Sequence, residues 1–234
     1  MKILSVDSSA IVASVALSDD GRLLAEYTLN NKNTHSETLL PMIESLLSFF
    51  SMSADDVDLF AVSTGPGSFT GVRIGTATVK GLAFAKGKPC VGVSTLEAIA
   101  YNLRFHKGIV CPVMNARRSQ VYTAIFRSDG EKLERLTEDL AISIAELDGM
   151  LAEYGEETVL AGDGYDICVG GFEKTAVRPV PERLRHQSAF SVAEAALAAY
   201  ESGKYCSDAE LGVEYLRPSQ AERERAEREA ASNK

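Results

Sequence analysis

Ile3-Leu-Ser-Val-Asp-Ser-Ser-Ala-Ile-Val-Ala-Ser-Val-Ala-Leu-Ser-Asp-Asp-Gly21 reads as a strand, a small polar turn, a returning strand and an acidic-glycine turn. Gly21 is free to take positive φ there, and Arg22 to Leu29 alternate well enough for a third strand. The same plan recurs at Val110-Cys-Pro-Val-Met-Asn-Ala-Arg-Arg-Ser-Gln-Val-Tyr-Thr-Ala-Ile-Phe-Arg-Ser-Asp-Gly130. A repeated strand-turn-strand-turn-strand unit predicts an α/β fold made of two duplicated lobes. The boundary is expected near residues 102–108. This gives an N-terminal lobe over 1–104, a C-terminal lobe over 105–218 and a charged tail over 219–234.

Between the repeats, His35 to Phe50 carries Leu39, Met42, Ile43, Leu46, Leu47 and Phe50 at helical spacing. Thr34 with Glu37 has the form of a capping box, and Pro41 is expected to kink the helix or delay its start. Leu40 and Phe49 widen the apolar stripe beyond what one core contact needs. Leu59 to Ser63 reads as a buried strand. The loop Thr64-Gly-Pro-Gly-Ser-Phe-Thr-Gly71 then leads into a helix to about Lys86, stopped by Gly87 and Pro89. Gly71, Gly75 and Gly81 lie inside that helix, where each glycine costs roughly 1 kcal/mol against alanine. Close approach of another backbone is the expected compensation. Val91 to Val93 is a further strand, and Ser94 or Thr95 can cap a helix through Tyr101. In the second lobe a helix is expected near 144–154, a strand at 158–161 and an Ala-rich helix at 191–200.

Composition sets the outer limits. The chain has 234 residues, 45% hydrophobic and 24% charged, which suits a packed protein and excludes disorder throughout. Its net charge of -9 makes it a poor binder of phosphate backbones by itself. The four cysteines, Cys90, Cys111, Cys168 and Cys206, form no Cys-x-x-Cys pair and read as free thiols in a reducing compartment. With no signal-like or membrane-length apolar run, the chain is expected to be soluble and cytoplasmic.

The candidate chemistry lies in the turns. Asp7-Ser8-Ser9 puts a carboxylate and hydroxyls at a strand end, either facing nucleotide phosphates or making ordinary turn contacts. Its repeat, Asn115-Ala-Arg-Arg118, has no carboxylate and no glycine, so half of a two-sided phosphotransfer site is missing. Arg117 and Arg118 can meet an anion or stand as exposed turn residues. Backbone N–H groups around Gly65, Gly67 and Ser68 can face an anion, or the loop is simply a tight strand-to-helix turn. It is not a Walker A motif. His35, His106 and His186 are scattered, so no preformed metal site is expected. Gly162-Asp163-Gly164-Tyr165 reads as a strand-end turn without an assigned use.

Gly65-Pro-Gly-Ser-Phe-Thr-Gly-Val-Arg-Ile-Gly75 is a distinctive string. With Ile3–Ser9, Asn115–Tyr122 and Glu214-Tyr-Leu-Arg-Pro-Ser-Gln-Ala-Glu222, it resembles the bacterial TsaB family, formerly YeaZ. The resemblance implies the actin-like, Hsp70-like ATPase fold with two ribonuclease H-like lobes. It also implies a non-catalytic partner of TsaD in forming threonylcarbamoyladenosine at tRNA position 37. TsaE and the enzyme that makes threonylcarbamoyl-adenylate complete that pathway. ATP or ADP and the metal are then expected on TsaD, and tRNA only through the complex. The paralogous catalytic subunit has a His-x-x-x-His pair whose counterparts here are Thr95 and Ile99, neither suited to a transition metal. The sequence departs from the family's usual second turn at Asn115, Ser119 and Gln120.

The resemblance places partner contacts on the helices at 35–50 and 70–86, which pair with TsaD or with a second copy. The expected interface is Leu39, Leu40, Met42, Ile43, Leu46, Leu47, Phe50, Gly71, Gly75 and Val79. A stand-alone nucleotide-dependent enzyme such as a small kinase is the alternative, and it has only Asp7 as an acidic turn. A metallopeptidase of the M22 type comes third and lacks ligands.

Overall fold

The computed structural model describes residues 1–30 and 34–217. The reading of 219–234 as a charged tail, and of Pro218 to Glu222, lies outside the described residues. The chain opens with β1 (Lys2–Asp7), β2 (Ala13–Asp19), β3 (Arg22–Leu29), α1 (His35–Phe49), β4 (Leu59–Gly65), α2 (Phe69–Lys86), β5 (Cys90–Ser94) and α3 (Thr95–Tyr101). Then follow β6 (Lys107–Asn115), β7 (Gln120–Thr123), β8 (Phe126–Asp129), β9 (Leu133–Arg135) and β10 (Leu140–Ser143). The last elements are α4 (Ile144–Tyr154), β11 (Thr158–Ala161), α5 (Tyr165–Gly171), β12 (Val177–Arg178) and α6 (Ala189–Glu201).

The first sheet has the order β3-β2-β1-β4-β5, with β1 antiparallel to β2 and parallel to β4. The second repeats the plan: β6 is antiparallel to β7 and β8 and parallel to β11, which is parallel to β12. Two such sheets make the duplicated ribonuclease H-like lobes of the actin-like ATPase fold. Alternation along the central strands decides the layers. Leu4 and Val6 of β1 face α1 and α2, while Ile3 faces α6. In β6, Ile109, Cys111 and Val113 face α4 and α5, and Val110 and Met114 face α3.

Two inner helices pack across the division at residue 104. Leu96, Ile99, Ala100 and Leu103 fall on the N-terminal side of that boundary, yet they pack under the second sheet. Conversely, Val192, Ala193, Ala195 and Ala196 of α6 cover Ile3, Leu59, Ala61, Val91 and Val93 of the first sheet. Both faces of each central sheet are apolar, so each needs a helix layer on both sides. The inner layers are supplied across the boundary by α3 and α6.

Several helix ends follow their sequence signals. Ser94, Ser143 and Ser188 cap α3, α4 and α6 by accepting N–H bonds from Glu97, Glu146 and Ser191. Gly87 closes α2 in the left-handed region, at φ 59°. The capping box at Thr34 does not form: its hydroxyl meets Ser36 Oγ at 3.2 Å instead. Pro41 is accommodated inside α1, in the second turn. No helix among the described residues is long and apolar enough to cross a membrane.

Candidate functional site: the interlobe cleft and the outer helices

The two polar turns open on one cleft of about 610 Å³ between the lobes. Its walls are the first hairpin at Ser9 to Ile11, the loop Pro66–Thr70, the second hairpin at Met114 to Arg117, and Asp163. Glu214 to Arg217 cross its mouth.

Asp7 does not face this cleft. Its carboxylate is fully buried and accepts bonds from Ser9 N at 2.9 Å, Ser9 Oγ at 2.7 Å and Ser63 Oγ at 2.5 Å. Burial pushes its pKa above the usual carboxylate range, and the bonds from Ser63 and Ser9 oppose that rise. Ser8 is buried too, with Oγ donating to Gly71 O at 2.9 Å. These residues tie the first turn to the glycine loop, so the expected anion contact at Asp7 and Ser8 is corrected. Of the remaining members, Gly65 lies under the Glu214 carbonyl and Gly67 and Ser68 reach the cleft wall. Ser68 is already engaged, since its N donates to Ser9 O at 2.6 Å and its Oγ caps α2.

In the second turn, Asn115 Oδ1 accepts the Arg117 N–H at 2.8 Å. Arg117, Arg118 and Ser119 all take the left-handed region, at φ 62°, 52° and 57°. The Asn115 N–H donates to Asp163 Oδ1 at 2.9 Å. Asp163 is the residue that the sequence reading left unassigned. It stands exposed on the second lobe's cleft wall, so Asp7 is not the one acidic side chain near the turns. The signal was Gly162-Asp163-Gly164. Gly162 has φ 110°, a Cβ there would overlap the Val113 carbonyl, and Gly164 N donates to Val113 O at 3.0 Å.

A strap formed by the described C-terminal segment closes the cleft. Glu214 N donates to Thr64 O at 2.9 Å, and Tyr215 stacks on Phe69 with ring centroids 4.7 Å apart. The Arg73 guanidinium lies 3.8 Å over Phe69, and its Nε donates to Tyr215 Oη at 2.5 Å. Arg217 reaches the second lobe, donating to Ala141 O at 3.2 Å. Thr95 and Ile99 are buried at the start of α3, with Ile99 in the apolar layer under the second sheet. Among the described residues no group of three or more His, Cys, Asp or Glu is placed to hold a metal.

The outer helices need a larger correction. Leu39, Met42, Ile43, Leu46, Leu47 and Val79 are buried in the first lobe's own core against β1, β2 and β4. Gly71 and Gly75 do not await a partner. A Cβ at Gly71 would overlap Ser8 O and one at Gly75 would overlap Ser8 Oγ. The first hairpin is the close neighbour that compensates these helix glycines. What remains exposed on α1 and its end is Leu40 at 46%, Phe49 at 75% and Phe50 at 39%. On α2, Ala77, Gly81 and Phe84 are exposed, with Phe84 at 74% and, among the described residues, no heavy atom beyond its chain neighbours and its own helix backbone within 4 Å of a Cβ built at Gly81.

Two duplicated lobes around a polar cleft define a two-lobe α/β protein of the actin-like fold. The sequence model of the family described as TsaD, tRNA N6-adenosine threonylcarbamoyltransferase, matches residues 22–219. A Bacillus subtilis protein named tRNA threonylcarbamoyladenosine biosynthesis protein TsaB is 36% identical over 162 residues, 69% of this chain and 71% of that protein. Its Escherichia coli namesake is 37% identical over 55% of this chain and 56% of that protein. The solved structure of YeaZ from Pseudomonas aeruginosa is 28% identical with a TM-score of 0.80, covering 92% of this chain and 99% of that one. The chain belongs to this family, in its TsaB (YeaZ) branch.

Proposed function

We propose that this chain acts in threonylcarbamoyladenosine biosynthesis as a non-catalytic subunit that binds and activates a TsaD-like threonylcarbamoyltransferase. The observation that carries this reading is the set of large apolar side chains left in water on the outer helices: Leu40, Phe49, Phe50 and Phe84. Full burial of each contributes roughly 1.5–3 kcal/mol. Gly81 and Ala77 keep the α2 surface low enough for a partner helix to approach. The state of the first turn supports the same reading, because Asp7 is committed to Ser9 and Ser63 and is buried away from the cleft.

The net charge of -9 fits a subunit that meets tRNA only through its complex. ATP or ADP and a metal then belong to the partner, a TsaE-like ATPase completes the assembly, and the compartment is the cytoplasm. Alone, the same outer face pairs two copies of the chain.

Co-expression with a TsaD homologue tests the proposal. The two proteins co-elute in sizing chromatography, and Leu40→Asp with Phe84→Asp breaks the complex while the circular dichroism spectrum stays unchanged. A complex that survives both folded substitutions places the interface elsewhere and sinks this assignment.

The alternative, a stand-alone nucleotide-dependent enzyme, draws support from Asp163 on the cleft wall. It requires ATP turnover by the isolated chain that is lost in Asp163→Ala.

A further inference from the structure

The strap begins beside β5, and its first contact pairs two cysteines. Cys206 lies opposite Cys90 in an isolated antiparallel bridge. The backbone bonds are reciprocal: Cys206 N donates to Cys90 O and Cys90 N to Cys206 O, each at 2.9 Å. Residues opposed in this way have Cα atoms about 5.5 Å apart and side chains on the same face. A disulfide spans Cα separations of about 4.4–6.8 Å. Both cysteines pack into the same apolar cluster as Phe60, Val79 and Leu211, and Cys206 Sγ lies 3.6 Å from Cys90 O. Cys90 is buried and Cys206 half-buried, so Cys206 is the more accessible residue of the pair. Cys111 and Cys168 are both buried.

We propose that Cys90 and Cys206 form an oxidative modification site, in which a disulfide fastens the strap to β5. The oxidant is a low-molecular-weight disulfide of the glutathione class. Cys206 loses its proton and its sulfur attacks one sulfur of the oxidant. The external S–S bond breaks, and the leaving thiolate takes up a proton. Cys90 then loses its proton and attacks Cys206 Sγ in the mixed disulfide, expelling the second thiol. Two protein thiols are oxidised and one external disulfide is reduced to two thiols, so atoms and electrons balance.

Burial pushes the Cys90 thiol up to about 11 and raises Cys206 as well. Exchange is therefore slow at neutral pH and quickens as the pH rises. The bond holds the segment that Lys80 already grips, with Nζ donating to Leu211 O at 2.7 Å, and that continues to the cleft mouth at Glu214.

The test uses the full chain with excess oxidised glutathione at about pH 8.5, where the small thiolate fraction is larger than at neutral pH. The four thiols titratable in denaturant fall to two. Peptide mapping finds one cross-link, between the peptides holding Cys90 and Cys206. Closing so long a loop raises Tm by roughly 5 °C or more, reversibly with reductant. Cys90→Ala stops at a stable glutathione adduct on Cys206, which shows the order of attack. A persistent adduct on Cys206 in the unsubstituted chain, with Cys90 still free, overturns the proposal. So does a cross-link through Cys111 or Cys168, or four thiols remaining after the reaction.

Discussion

Asp7 shows how one residue's environment redirects its chemistry. Its type and position, a carboxylate at the end of a strand before two serines, suit a turn that faces a nucleotide site. Burial and three hydrogen bonds make it a structural post instead. Because its folded-state pKa is raised, the folded chain holds that proton more tightly than the unfolded chain does. The proton's contribution is present at low pH. It is lost as the pH rises from the ordinary carboxylate value of about 3.9 through the raised one. Asp7→Asn keeps an acceptor for Ser9 and removes the buried charge. Denaturant unfolding at several pH values should show its stability gaining on the parent from about pH 4 upward and then levelling off. Asp7→Ala leaves the Ser9 and Ser63 donors unpaired, and should destabilise by roughly 1–3 kcal/mol. An Asn variant weaker than the parent at neutral pH would contradict this account. Asp163 was written in the sequence as clearly as Asp7, within Gly162-Asp163-Gly164. Its place on the cleft wall depends on β11 lying beside β6, which no local pattern reveals.

At the scale of elements, α2 carries glycines of two kinds. Gly71 is pressed by the first hairpin, and a Cβ there would overlap the Ser8 carbonyl, which cannot turn aside without moving β1. Gly71→Ala should cost roughly 1–3 kcal/mol or more. Gly81 has open space, so Gly81→Ala should stabilise the isolated chain by roughly 0.5–1 kcal/mol through helix propensity. Opposite signs in a pair of thermal melts would distinguish the two. Gly75→Leu is expected to disrupt the fold itself, so it cannot report on docking. Gly81→Leu is the useful variant: folded, yet weakened in association with a TsaD-like subunit if α2 contributes to the docking face. In α1 the periodic stripe was legible, but its division was not. The same hydrophobicity sends Leu39 and Ile43 into the core and leaves Leu40 in water, because only the neighbouring sheet and α2 determine which side of the helix is covered.

The whole molecule is held by the exchange of α3 and α6. A fragment ending at residue 104 would leave Ile3, Leu59, Ala61, Val91 and Val93 without the helix that covers them. Such a fragment should bind a hydrophobic dye and show no cooperative melt, whereas the chain through residue 217 should unfold cooperatively. A cooperative transition from residues 1–104 alone would mean that the first sheet does not need α6. Local pattern was enough for most strands of both repeats, most of the helices, the cap at Ser94 and the duplication. Period-2 and period-3.6 hydrophobicity and turn chemistry act over a few residues, so they are written in the sequence itself. Three matters required the tertiary structure: which lobe each inner helix serves, what lies against Gly71 and Gly75, and which apolar residues remain outside. Each depends on side chains meeting across large separations in the chain, such as Ser8 with Gly71 or Ile3 with Val192. Close packing settles those contacts only once both sheets and all their layers are in place.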